Sequence, residues 1–229
     1  MAFVQYDRRS EEKATDLRTL GQVARTYFGH RSPHVILTGL VIAILVRLLV
    51  GTFGVADLVV LAVTVAMVGT VEWFIHLFLL HAPADSRRMT KFKTGAGHRA
   101  HHLDPANIGW LMLGPPDGAV FLVMLLVWNA TWPLLLAWAL GASLLSTYLT
   151  AVAASYFMLA HYEWTHLLVH TRYQPKLGYY RRLVTHHRLH HYRNEHHWLG
   201  VTSRTGDKAL GTLPASKSDV PLSDTARTL

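Results

Sequence analysis

The chain has no cysteine among its 229 residues. That absence excludes disulfides, iron–sulfur clusters and thiolate zinc sites, so any metal must be held through nitrogen or oxygen. Charge is also scarce: Asp, Glu, Lys and Arg make up 16% of the chain, against about a quarter in ordinary soluble proteins. Acids are scarcer than bases, 14 against 22, which leaves a net charge of +8. From Gly118 to Ala160 there is no Asp, Glu, Lys or Arg. Hydrophobic residues reach 51%, and mean hydropathy is +0.21 despite polar ends. This is the composition of a polytopic membrane protein with polar extensions. Met1 to Arg31 is charged and lacks a short apolar core, so no cleavable signal peptide is expected.

Apolar runs set the organisation. Ser10 followed by Glu11 and Glu12 reads as a helix start, and Leu17, Leu20, Val23, Ala24, Tyr27 and Phe28 recur at helical spacing. Residues 1–33 are therefore expected to be a cytoplasmic arm, with an amphipathic helix over 11–28 on the membrane surface. His34 to Val50 is the first span, its one charge, Arg47, near enough to the end to snorkel. Val55 to Leu80 is the second, about 39 Å of helix against a ~30 Å hydrocarbon core. Residues 82–117 are polar and contain at least one embedded helix. Gly118 to Ala160 is about 64 Å of helix, enough for two spans, with a break expected at Trp132-Pro133. Residues 161–207 are polar, and 208–229 are expected to be a loosely held tail. The whole reads as one all-α membrane domain with its core over 34–207.

Four spans put both termini on one side. Lys and Arg number six in residues 1–33, five in 82–117 and ten in 161–229, and none in the turns near 51–54 and 131–133. The positive-inside rule then places both termini and the long loop in the cytoplasm. The same rule accounts for the basic charge, so nucleic acid is not an expected partner.

What the chain does have is histidine, 16 of them. Ten fall into four clusters: His76 and His81; His98, His101 and His102; His166 and His170; His187, His190 and His191. The topology brings all four clusters to the cytoplasmic face. The His-x-x-His-His sets each share one helix face, as do His166 and His170, so each cluster is expected to present its imidazoles to one point. His76 and His81 do not fit, because five residues rotate a helix by about 140°. Either they reach different metals or the helix distorts after Leu80. Ten imidazoles exceed the needs of one ion and suit two metals with about five nitrogens each. Glu72, one turn before His76 in an apolar span, is placed to accept a ligand's second ring N–H, or else to cap or join spans. Glu163, Glu195 and Asp104 are similar candidates. His30, His34 and His161 read as ordinary, and His186, His196 and His197 as either outer groups or headgroup contacts.

These residues resemble the fatty acid hydroxylase/sterol desaturase superfamily of integral-membrane di-metal oxygenases, nearest its fatty acid 2-hydroxylase branch. The matching stretches are Glu72 to His81, Gly97 to His102, Tyr162 to His170, and His187 through Asn194 to Gly200-Val-Thr-Ser203, with Asp207 and Gly211-Thr212 also in place. The resemblance covers residues 34–212. It implies four transmembrane helices capped by cytoplasmic helices that hold two metals on the ten clustered histidines. It implies hydroxylation of a lipid C–H bond with O₂ as co-substrate and two electrons. Iron is the expected metal, since zinc has no redox chemistry, although zinc can occupy such a site in purified protein. Relatives often carry a fused cytochrome b5-like domain. Here the expected donor is a separate cytochrome b5-like or ferredoxin-type partner. Beta-carotene hydroxylases space the third pair as His161 and His166 are spaced, but Tyr162-Glu-Trp-Thr leads into His166 and His170 as in the lipid hydroxylases. Two other readings use the same residues: a desaturase or sterol- or carotenoid-modifying oxidase, and a non-catalytic metal-binding or transport protein. Oligomeric state is not legible.

Overall fold

Helices account for most of the chain. The structure, a computed structural model, describes residues 12–82 and 94–223, and among these it is helical apart from one isolated bridge between Lys13 and Asn107. A 3₁₀ turn (Ala14–Asp16) and helix α1 (Leu20–Gly29) form the N-terminal arm. Helices α2 (Arg31–Val50) and α3 (Val55–Ile75) follow, and α3 continues as a π-helical turn over His76–Leu80. Then come α4 (Thr94–Leu103), α5 (Ile108–Leu111), α6 (Pro115–Asn129), α7 (Trp132–Ala139) and α8 (Leu144–His170). The chain ends with α9 (Gly178–Tyr192), α10 (Thr205–Leu210) and a 3₁₀ turn at Lys217–Asp219.

Four stretches are long and apolar enough to cross a bilayer: Arg31–Val50, Val55–Leu80, Gly118–Ala139 and Leu144–His170. Their outward faces carry Val35, Leu45, Leu49, Leu58, Phe74, Val123, Trp138 and Phe157, all exposed. In water such a collar would be costly; against acyl chains it is the required surface. The protein is an integral membrane protein. Helix α8 lies against both α2 and α3. Gly39 of α2 admits the Tyr156 ring, since a Cβ there would meet Tyr156 Cε1 at 2.6 Å.

Several boundaries differ from expectation. Residues 10 and 11 lie outside the described residues, and α1 starts later, at Leu20 with Thr19 as its N-cap. Thr19 Oγ1 accepts from Gln22 N at 3.3 Å while Gln22 Oε1 accepts from Thr19 N at 3.0 Å, a capping box that makes Thr19 the start in place of Ser10. Most of the arm's apolar face is buried in protein, while Leu20 and Phe28 remain exposed. Ala14, Leu17, Val23 and Tyr27 pack with Ile108, Leu111, Met112 and Leu167, and Tyr27 Oη donates to Ala160 O at 3.2 Å.

Trp132-Pro133 interrupts the third span but does not end it. Gly118 to Asn129 is only about 18 Å long, too short for the hydrocarbon core, so the crossing needs α7 as well. The reversal falls at residues 140–143, where Gly141 takes φ +61° and Ser143 caps α8. This turn, like 51–54, has no Lys or Arg.

Arg47 does not snorkel. It is 4% exposed and pairs with Asp57 Oδ1 at 3.1 Å. Arg47 Nε donates to Thr150 Oγ1 at 2.7 Å, and Thr150 Oγ1 donates to Asp57 Oδ1 at 2.6 Å. One clamp thus joins α2, α3 and α8, because in lipid a partner within the bundle replaces water. The expected loose tail is tied down as far as Ser223. Arg193 Nε donates to Val220 O at 2.7 Å and Ser223 N to Arg193 O at 2.9 Å.

Candidate metal centre

A five-residue step between two histidines is poorly served by an α-helix, and here the backbone changes to serve it. From His76 to Leu80 it is π-helical, with His81 N donating to His76 O at 2.9 Å. The wider turn brings residues i and i+5 to one face. The two rings consequently stack with centroids 5.0 Å apart.

Helices α3 and α8 both start at the face of the short turns and run to the opposite end of the bundle. They deliver His76 and His81, and His166 and His170, to one end. Helices α4 and α9 cover that end. The ten clustered histidines converge there as two groups of five: His76, His81, His98, His102 and His190; and His101, His166, His170, His187 and His191. Within each group one nitrogen from every ring lies within 4.8 Å of the others.

The grouping corrects the expectation that each cluster aims at one point. Each His-x-x-His-His set is split. His98 and His102 of α4 join the first group, and His101 crosses to the second. His187 and His191 of α9 join the second, and His190 crosses to the first. Each group is thus one pair from a membrane helix, one i, i+4 pair, and one histidine borrowed from the other motif. The groups adjoin, with His102 stacked on His191 at 4.1 Å.

The donor set fits a cation. Nε2 atoms face one another at 3.0 Å for His76–His98 and His81–His98, 3.1 Å for His98–His102, and 3.2 Å for His102–His190. In the second group the distances are 2.9 Å for His170–His187 and 3.1 Å for His187–His191 and His101–His191. Two nitrogens at ~2.0–2.1 Å from one metal lie about 2.9 Å apart at a right angle and about 3.4 Å apart at the tetrahedral angle. His76 Nδ1 faces Leu199 O at 2.5 Å, His190 Nδ1 faces His197 O at 3.0 Å, and His166 Nδ1 faces Leu111 O at 3.2 Å. A carbonyl has no proton, so Nδ1 donates and Nε2 of the neutral ring keeps a lone pair. Lone pairs aimed together at such range repel unless a positive ion lies among them. His166 Nε2 is buried and has no hydrogen-bond partner among the described residues.

Burial reinforces the neutral state. It pushes His81, His98, His101, His187, His190 and His191 well below the ordinary imidazole value, and neighbouring imidazoles push further. Neutral imidazole is the ligating form.

None of the four candidate acids accepts from a ring of the ten clustered histidines in a hydrogen bond among the described residues. Glu72, expected to accept from a ligand ring, instead accepts from Val201 N at 3.3 Å, Thr202 N at 3.0 Å and Thr202 Oγ1. Glu163 accepts from Leu113 N at 2.9 Å. Glu195 accepts from Ser223 Oγ and ties down the C-terminal segment. Asp104 accepts from Asn107 Nδ2 at 3.4 Å in the turn after α4.

Gly200 to Ser203, Asp207 and Thr212 belong to the matching stretches, but the sequence assigns them no role, and the structure gives them one. Asp207, fully buried, accepts from Leu199 N and Gly200 N at 2.8 Å, from Thr212 Oγ1 at 2.6 Å and from His186 Nε2 at 3.0 Å. Burial would raise its carboxyl, but the His186 and Thr212 hydrogen bonds hold it below the usual range. Gly200 was the available signal: a Cβ there would lie 1.8 Å from Ser203 O. His186 therefore supports the loop from outside the two groups, and His197 contributes its carbonyl. His196 is exposed, His161 approaches Tyr179 Oη at 3.5 Å, and His34 donates to Phe28 O at 2.8 Å.

The model of the family described as fatty acid hydroxylase matches residues 61–212. The dihydroceramide fatty acyl 2-hydroxylase FAH2 of Arabidopsis thaliana is 32% identical over 150 residues, covering 64% of this chain and 57% of that protein. The chain thus spans little more than half the length of that relative. The solved structure of full-length Scs7p, with only its hydroxylase domain visible, is similar at TM-score 0.60 and 22% identity. That similarity covers 90% of this chain and 70% of the Scs7p chain, and establishes the fold.

Proposed function

The chain belongs to the fatty acid hydroxylase family, and from that premise we propose that it hydroxylates a membrane lipid. One oxygen atom of O₂ enters a C–H bond of a fatty acyl chain or related lipid: RH + O₂ + 2 e⁻ + 2 H⁺ → ROH + H₂O. The observation that carries this reading is the pairing of two five-imidazole groups at one end of an apolar four-helix bundle. The ligands are His76, His81, His98, His102 and His190 for one ion, and His101, His166, His170, His187 and His191 for the other.

Two iron ions would supply the redox chemistry that breaking an unactivated C–H bond requires and that zinc lacks. The carbonyls of Leu199, His197 and Leu111 keep protons on Nδ1 of His76, His190 and His166, so that Nε2 ligates. The electrons come from a separate one-electron carrier, cytochrome b5-like or ferredoxin-type. The distribution of Lys and Arg supports placing both termini and the metal end in the cytoplasm. The two groups lie where membrane helices end, which favours oxidation near a lipid headgroup over mid-chain oxidation. The 2-hydroxylase relative supports the 2-position.

The test pairs lipid analysis of cells expressing the chain with metal analysis of the purified protein. His101→Ala and His190→Ala are each expected to abolish hydroxylated lipid and to lower metal content. Full activity in both variants would overturn the reading.

A further inference from the structure

The two buried glutamates occupy equivalent places in two separate relays. Glu72 lies four residues before His76, and Glu163 three before His166, each on the inner face of its membrane helix. Both are buried, at 9% and 1% exposure. Glu72 takes the N–H of Val201, and two residues earlier the carbonyl of Leu199 takes the Nδ1 proton of His76. Glu163 takes the N–H of Leu113, and two residues earlier the carbonyl of Leu111 takes the Nδ1 proton of His166. Leu113 N lies two residues past Leu111, and Glu72 holds both Val201 N and Thr202 N, two and three residues past Leu199. The backbone segments are unrelated in sequence, Leu199-Gly-Val and Leu111-Met-Leu. In each, a carboxylate fixes a short stretch of backbone whose carbonyl sets the tautomer and orientation of a histidine on that same helix.

We propose that Glu72 and Glu163 are positioning residues, one for each five-histidine group, each acting on its own histidine through two residues of backbone. The proposal rests on the reading of these groups as metal centres. A ligating imidazole generally needs its other nitrogen held, and outer partners of this kind typically change metal affinity by about 10–100-fold. The usual arrangement puts the carboxylate directly on the ring. Here both carboxylates reach the rings only through a peptide carbonyl. The first relay has extra support, because Asp207 also holds Leu199 N and Gly200 N. In the second, Glu163 holds Leu113 N at 2.9 Å, with the Ser32 hydroxyl beside the same carboxylate and no second acid on that backbone segment among the described residues.

The experiment loads full-length protein in lipid nanodiscs with Zn²⁺ and follows its release to a chelator, a readout independent of hydroxylation. Wild type is expected to release two slow equivalents. Glu72→Ala should speed one equivalent about 10–100-fold, Glu163→Ala the other, and the double variant both. A background of His187→Ala, which disables the second group, assigns the effects: there Glu72→Ala should speed the remaining equivalent and Glu163→Ala should leave it unchanged. Glu163→Gln, which keeps an acceptor for Leu113 N, should recover part of the loss. A merely structural role would move both equivalents together and lower thermal stability in step. That pattern, or two slow equivalents in both alanine variants, would overturn the relay while leaving the metal reading intact. A wild type that binds no zinc would overturn both.

Discussion

The two five-histidine groups share a donor set and a plan, yet they are supported differently. In the first, His76 and His190 lean on carbonyls of the 197–202 loop, which Asp207, Glu72 and Thr212 pin in place. In the second, only His166 has such a carbonyl, and Nδ1 of His101, His187 and His191 is buried without a protein acceptor among the described residues. Its rings are placed by helix packing: Leu168, Val169, Leu183 and Val184 join α8 to α9, and the arm backs Leu111 and Leu167. Equal ligands therefore do not mean equal vulnerability. The first group depends on a loop far along the chain, the second on the fit of helices.

The sharpest break of the comparison removes one pair histidine from each side. His81→Ala should empty the first group and His170→Ala the second, each lowering zinc content from about two equivalents to about one and abolishing product. If either variant lost both ions, the two groups would not be separate sites. The next largest effect is expected from Asp207→Ala. Leaving the buried Leu199 and Gly200 N–H groups unpaired should cost about 1–3 kcal/mol each, and metal loss, read by chelator competition, should fall on the first group alone. Arg47→Met is the control at the other end of the bundle. It should destabilise by a similar ~3–5 kcal/mol in a denaturation series, because Asp57 is left buried and unpaired, with both equivalents of zinc retained.

Acidification tests both groups together. The buried imidazoles have pKa values below their unfolded values, so between those values the unfolded chain binds more protons. Stability consequently rises with pH there and falls as pH drops below about 6.5. Metal-free protein should therefore melt at progressively lower temperature from pH 7 to pH 5, and a flat profile would contradict the burial. The smallest effect expected is from Thr19→Ala, about 1 kcal/mol from the lost cap, with any change in zinc release confined to the second group.

Much of this was legible in the chain. The four spans followed from apolar length, and convergence of the ten histidines followed from topology plus spacing. The pairing of His76 with His81 was not, because whether a five-residue step becomes a π-turn depends on what surrounds it. Nor was the splitting of each His-x-x-His-His set, since sequence gives a shared helix face but not the position of two targets beneath it. Glu72 and Glu163 were recognisable as buried acids, but their partners are backbone N–H groups, which carry no residue signature. Arg47 read as a snorkelling end residue because Asp57, its partner, lies on another helix. The end of the third span is not legible at Trp132-Pro133, because a proline acts on the local backbone while the thickness of the bilayer sets where the span ends.

The crossed histidines bear on how the site is filled. An ion in the first group fixes α4 through His98 and His102 and α9 through His190. Those same helices carry His101, His187 and His191, three of the five ligands awaiting the second ion. The reverse also holds, so each ion is expected to prepare the place of the other. The cost of ordering those helices should then fall mainly on the first ion, so the second is expected to load faster, while each ion still leaves at a rate set by its own group.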